Sequence, residues 1–158
     1  MIGLTRVLLA FILALTFTLS VAAQSPAPAS PNSDQETAAI RKVLDDMTVA
    51  WNKGDLESYM TGYWNSPDVE FYAGASVTKG YQATLDRYIK GYKAPGREMG
   101  KLDFPETNVQ LLCPDTAFVT GRFHLLMSNG KQPHGIYTLL MKKLPEGWKI
   151  VHDHSSGE

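Results

Sequence analysis

Three kinds of apolar spacing succeed one another along the chain. The first is an apolar stretch from Val7 to Phe17, interrupted only by Thr16, behind the lone charge of Arg6 and ahead of the small residues Ser20-Val21-Ala22-Ala23. That is the order of a secretory leader, and the stretch falls short of the about 20 apolar residues that span a bilayer. Residues 1–23 are therefore expected to be a cleavable signal peptide, with Val21 and Ala23 before the cut and Gln24 first in an exported, periplasmic or secreted product. The Pro-, Ala- and Ser-rich run that follows cannot pack, which predicts a flexible linker over 24–35 and one domain over 36–158.

The second kind of spacing is helical. Ile40, Val43, Leu44, Met47 and Ala50-Trp51 recur at three and four, with Ser33 or Asp34 as the expected cap and Asn52-Lys53-Gly54 as the stop. Asp55 opens a shorter helix through Leu56, Tyr59, Met60 and Tyr63. A turn at Ser66-Pro67-Asp68, a short strand over Val69–Tyr72 and a glycine-containing loop lead to a third helix, Tyr81 to Tyr92, with Leu85, Tyr88 and Ile89 inward. From about Lys101 the period changes to two. Four strands are expected, Leu102–Cys113, Ala117–Met127, Gly135–Lys143 and Trp148–Ser155, joined by short turns into a mainly antiparallel meander. Helices first and a long-stranded sheet afterwards define an α+β fold whose curved sheet wraps around the N-terminal helices.

Charge narrows the range of functions. Fifteen Lys and Arg stand against 16 Asp and Glu, a net charge of −1, with no basic run, so nucleic acid is not an expected partner. Nor is a membrane, once the leader is removed. Cys113 has no second cysteine to pair with and sits in the apolar run Val109–Cys113, where a buried, inert thiol is expected. Both faces of the middle strands carry apolar residues, Phe123, Leu125 and Met127 against Leu126, and Tyr137 and Leu139 against Ile136 and Leu140. That surplus predicts a homodimer through the sheet.

The chain's last strand concentrates polar groups, Trp148-Lys149-Ile150-Val151-His152-Asp153-His154-Ser155-Ser156. Alternation puts His152 and His154 on one face and Asp153 and Ser155 on the other. One set is either a solvated rim or the polar part of a cavity. With Gly135–Leu140, Pro145-Glu146-Gly147, the segment Ala50-Trp51-Asn52-Lys53-Gly54-Asp55-Leu56 and Tyr63–Tyr72 followed by Lys79-Gly80, this ending resembles nuclear transport factor 2-like domains over roughly residues 36–156. The similarity is greatest to the SnoaL-like branch, including domain of unknown function 4440. The closing strand is also similar to that of the association domain of calcium/calmodulin-dependent kinase.

The resemblance implies a cone-shaped, cystatin-like α+β barrel that is open at one end and dimerises through the outer face of its sheet. Fold does not assign function here, because the superfamily includes isomerases, cyclases, hydratases and assembly modules. Alignment with the ketosteroid isomerase member places its catalytic tyrosine at Met47, its base near Phe71 and its third group near Leu139 or Leu140, so that mechanism is disfavoured. The arginine position of the kinase association domain in the last strand corresponds to Ser155. By the same alignments Val151, Asp153 and Ser155 face the cavity, beside Tyr137, Leu139 and Met141.

The candidate catalytic groups are Asp153 and His124. The candidate ligand-binding groups are Arg122, Tyr137, Ser155, Trp51, Tyr59, Tyr63 and Tyr88, with Arg122 and His124 as an inward pair that either works with Asp153 or merely neutralises it. A pocket of apolar walls with a few polar groups suits an unidentified small molecule. No cofactor is expected. His152 and His154, followed by Glu158, are a rival metal set, although no second His motif follows as a cupin would need. Three functions remain open: a small-molecule-binding cone, a SnoaL-like isomerase, cyclase or hydrolase using acid–base chemistry, and a non-catalytic interaction module.

Overall fold

The computed structural model describes residues 32–157. The expected leader 1–23, the linker as far as residue 31, and Glu158 lie outside the described residues. Helix α1 spans Ser33–Asn52 and α2 spans Leu56–Met60. Strands β1 (Glu70–Ala73) and β2 (Ser76–Lys79) form a hairpin ahead of α3 (Tyr81–Tyr92), and β3 (Lys101–Cys113), β4 (Thr116–Leu126), β5 (His134–Leu144) and β6 (Gly147–Gly157) follow. Six strands make one sheet in the order β2-β1-β6-β5-β4-β3. All pairs are antiparallel except β1 with β6, so the sheet is mixed, and it stays open with β2 and β3 at its edges.

Helix α1 forms because its apolar positions fall on one stripe: Ile40, Leu44, Met47, Ala50 and Trp51 are all buried. Its N-cap is Asn32, so the helix starts before both expected caps, and Ser33 and Asp34 lie inside its first turn. The stripe begins with a charge. Glu36 is buried and accepts hydrogen bonds from Lys143 Nζ at 2.7 Å and Trp148 Nε1 at 2.8 Å, which ties the start of α1 to the β5–β6 hairpin. At the other end of α1, Asn52 Nδ2 donates to the carbonyl of Leu102 at 2.9 Å while Asn52 Oδ1 accepts from the Leu102 amide at 2.8 Å, fixing the first residues of β3.

Helix α2 is capped by Asp55, whose Oδ1 accepts from the Ser58 amide at 2.9 Å. It stops at Met60, short of the expected Tyr63, because Gly62 passes against α1 with no room for a side chain; a Cβ there would collide with Met47 Sδ. The chain then docks on β6, with the Ile150 amide donating to Gly62 and the Trp64 amide to Ile150, both at 2.9 Å. Tyr63 is thereby held beside the last strand rather than on a helix face.

Two irregularities set which side chains point inward. Between Leu140 and Met141 the pairing with β6 shifts: Met141 lies opposite Ile150 and Leu140 opposite His152, leaving Val151 as the extra residue of a bulge. Trp148 and Ile150 are therefore buried before the bulge and Asp153 after it. Val151, expected to face the cavity, is the residue displaced. A second shift lies between Asp103 and Glu106 at Pro105, where an edge strand tolerates a missing donor. Cys113, expected to be buried, is exposed, because β3 runs past the helices before the turn; its Sγ contacts Asp115 Oδ1 at 3.0 Å.

Candidate active site

Every element but β2 contributes to one cavity of about 90 Å³ between the helices and the concave face of the sheet. Helices α1 and α3 supply Trp51, Tyr88 and Tyr92, the α2 region supplies Tyr59 and Tyr63, and the strands supply Phe71, Phe104, Phe123 and Tyr137. The rings meet mostly edge to face, Trp51 with Tyr59 at 5.1 Å and with Tyr92 at 4.7 Å, Phe104 with Tyr137 at 5.1 Å. Such contacts add to area burial and leave the walls rigid.

Into this apolar space β6 delivers one carboxyl. Asp153 is only 4 % exposed and lines the cavity. Tyr63 Oη donates to its Oδ2 at 2.6 Å and Ser155 Oγ donates to its Oδ1 at 2.8 Å. The Tyr63 and Tyr88 hydroxyls are 3.2 Å apart. Since the Tyr63 proton is committed to Asp153, Tyr88 is the donor in that contact, giving a chain Tyr88 to Tyr63 to Asp153. Burial pushes the Asp153 carboxyl up to about 6, and the bonds from Tyr63 and Ser155 restrain the rise. Burial also lifts the hydroxyls of Tyr59, Tyr63 and Tyr88 well above the ordinary range, helped by the Asp153 charge, so all three remain protonated donors.

Most of the expected site residues meet here: Asp153, Ser155, Tyr137, Trp51, Tyr59, Tyr63 and Tyr88 all line the cavity. Arg122 and His124 do not. On β4 the buried positions are Ala117, Val119 and Leu125, so the even-numbered residues face away, and the expected inward pair is one residue out of step. Arg122 Nε lies 3.3 Å from Glu106 and His124 Nδ1 lies 3.5 Å from Asp103, both pairs more than half exposed or nearly so. Phe123 occupies the inward place between them. Asp153 has no ion-pair partner among the described residues.

His152 and His154 fall on the convex face, around Tyr72, with ring centroids 4.9 and 6.3 Å from it. His152 Nδ1 is 3.8 Å from Glu70. Among the described residues no three ligating side chains converge on a metal position.

Phe71, Tyr92, Phe104 and Phe123 are cavity residues that the sequence reading did not select. Tyr92 follows Tyr88 by four on α3, so periodicity carried its signal; Phe123 shares parity with Leu125, but the other face of β4 is part apolar too and left its direction open, and Phe104 depends on the Pro105 irregularity. Met47 and Phe71, aligned with the isomerase tyrosine and base, line the same cavity as apolar walls. The register partner of Phe71 on β6 is Asp153, so the carboxyl enters from the adjacent strand.

An open, mixed α+β sheet over N-terminal helices is the fold of nuclear transport factor 2-like proteins. The chain belongs to the SnoaL-like domain family, whose sequence model matches residues 40–157. It is similar to a solved nuclear transport factor 2-like protein of unknown function from Shewanella oneidensis MR-1, with 34% identity, a TM-score of 0.71, and coverage of 76% of this chain and 98% of that one. A cystatin-like fold protein from Burkholderia xenovorans LB400 shares the fold at 23% identity and a TM-score of 0.63, covering 80% of this chain and 94% of that one. A superfamily protein of Salmonella enterica does so at 17% identity and a TM-score of 0.62, covering 79% and 92%. No curated protein matches the chain.

Proposed function

We propose that the cavity binds a compact, largely apolar small molecule and that Asp153 moves a proton to or from it. The observation that carries this reading is a buried carboxyl in an aromatic cavity, held by Tyr63 and Ser155 with no cation among the described residues paired to it. A carboxyl raised to about 6 is mostly ionised at neutral pH yet a far better proton acceptor than an ordinary aspartate, which suits an acid–base group. At about 90 Å³ the space is below the roughly 300–1,000 Å³ of drug-sized sites, which favours a single ring or short chain at the Asp153 end. Isomerisation, cyclisation and hydrolysis all fit such a group, and no cofactor is required for any of them.

Native mass spectrometry of the purified protein tests the binding directly: a small molecule is expected to co-purify with the wild type and to be depleted at least tenfold in Asp153→Asn. Equal occupancy in both would remove Asp153 from the site. Export and dimerisation belong to the same reading. The order of charge, apolar stretch and small residues over Met1–Ala23 supports secretion, so the exported protein should begin at Gln24, and an intact Met1 on it would refute that.

A pure interaction module is the second reading, favoured by Ile136, Leu126 and Phe118 standing exposed on the convex face.

A further inference from the structure

Six cavity residues, Phe71, Tyr88, Tyr92, Phe123, Leu125 and Ser155, also line a broad cleft of about 920 Å³ between α3 and the ends of β4 and β6. The cleft differs from the cavity in charge. Among the described residues, Arg87, Lys90 and Arg97 line it against one carboxylate, that of Asp86, which accepts from Gln82 Nε2 at 2.9 Å.

Arg87 is the most constrained of these cations. It is half-buried, with its guanidinium 5.2 Å from the centroid of Phe71, and its Nη1 makes one long contact, 3.4 Å, to Thr78 Oγ1. A guanidinium has five N–H donors, and stacking on a ring holds its planar fork in place. Among the described residues no carboxylate pairs with it. Its charge nevertheless reaches the next ring, opposing the rise that burial imposes on the Tyr92 hydroxyl. A fixed arginine with spare donors, seated on the wall shared by cavity and cleft, is an anion receptor in form.

We propose that the ligand of the cavity carries an anionic group, a carboxylate or a phosphate, which Arg87 holds in the cleft while the apolar end lies against Asp153. The inference rests on the binding role proposed for the cavity and adds the ligand's charge and orientation. Size points the same way: the cavity admits a compact apolar end, and the remainder of a longer molecule must extend past Phe71 and Tyr92 into the basic cleft. The reverse orientation would set an anion beside the ionised Asp153 in a low-dielectric space, which is strongly unfavourable.

The test uses phenylacetate, 3-phenylpropionate and 4-phenylbutyrate with their three neutral amides, titrated into the protein at pH 7.5 and followed by NMR, with contacts to the Trp51 and Phe71 ring protons reporting cavity occupancy. At least one acid is expected to bind tenfold or more tighter than its amide, with the difference shrinking at high salt. In Arg87→Gln the advantage should vanish while the amide is unaffected, and Arg87→Lys should restore part of it, both variants being checked for folding by thermal melts. Acids and amides that reach the cavity with equal affinity would overturn the anion inference and leave the cavity role standing. An acid advantage that survives Arg87→Gln would overturn the assignment to Arg87. No contact from any of the six probes to Trp51 or Phe71 would overturn both.

Discussion

Asp153 is at once the best candidate for chemistry and a source of instability in the fold. Its carboxyl is raised from an ordinary 3.8 to about 6 because burial disfavours the charge. Between those values the folded chain holds a proton that the unfolded chain has released, so the contribution of Asp153 to stability is most favourable below about 3.8 and falls as pH rises to about 6. The whole drop is about 3 kcal/mol, taking 1.36 kcal/mol for each pH unit of displacement. Asp153→Asn should therefore lack this slope and be more stable than wild type at pH 7.5 by about 1–3 kcal/mol, since an amide can still accept from Tyr63 and bond Ser155. Melting curves of the two proteins between pH 4 and pH 7.5 measure it, and parallel slopes would assign the titration to another group. Tyr63→Phe removes a bond that lowers the Asp153 value, so the midpoint of its carboxyl carbon resonance should move up by about one pH unit. A structural pairing of Asp153 with Arg122 or His124 is ruled out by their outward placement.

Individual elements depend on a few contacts that periodicity does not describe. The stripe of α1 was legible because Ile40, Leu44, Met47 and Trp51 repeat at helical spacing, and the bounds of α3 were legible for the same reason, although Ile89, expected inward beside Leu85 and Tyr88, is exposed and Thr84 is buried instead. The hairpin strand β2 was not: Ser76–Lys79 is mostly exposed, with Val77 pointing to solvent, so it carries no alternation that a sequence could reveal. Parity was the other loss. Nothing in the sequence of β4 distinguishes the face of Arg122 and His124 from that of Phe123 and Leu125, because both are part apolar, and the bulge at Val151 is visible only once β5 is paired. Gly121 marks where β4 passes closest to its neighbours, since a Cβ there would strike the Glu106 carbonyl and the Tyr137 hydroxyl. Glu36 is a stabilising contact of the same local kind. Its carboxyl is held below the usual range first by the Lys143 bond and then by the Trp148 bond, so its contribution is present above the ordinary value of 4.5 and is lost as pH falls through the lowered one. Glu36→Ala should release the first turn of α1 from the β5–β6 hairpin, seen as faster amide exchange over residues 37–41 and a red shift in Trp148 emission, with the Asp153 titration unchanged.

At the scale of the molecule, concave and convex faces of the sheet have separate roles. The concave side is fully used by one chain: the cavity walls, Asp153 and the basic cleft all come from the same described residues. The convex side is left with Ile136 52 %, Leu126 51 % and Phe118 37 % exposed on neighbouring strands β4 and β5. Apolar groups gathered on one face of a sheet have a free-energy gain available from a partner, and a second copy presenting the same face is the simplest one. Sedimentation at micromolar concentration is expected to give twice the chain mass for the wild type. Ile136→Glu sets a charge, and by symmetry two, in the middle of that contact and should yield a monomer. Because no cavity residue lies on the convex face, the monomeric variant should bind the same ligand with unchanged affinity and keep the Asp153 midpoint near 6. A monomer that loses ligand would mean that the second copy completes the site. A wild type that is already monomeric would leave the convex face to a different protein, and the exposed Ile136 and Leu126 would then be its point of attachment.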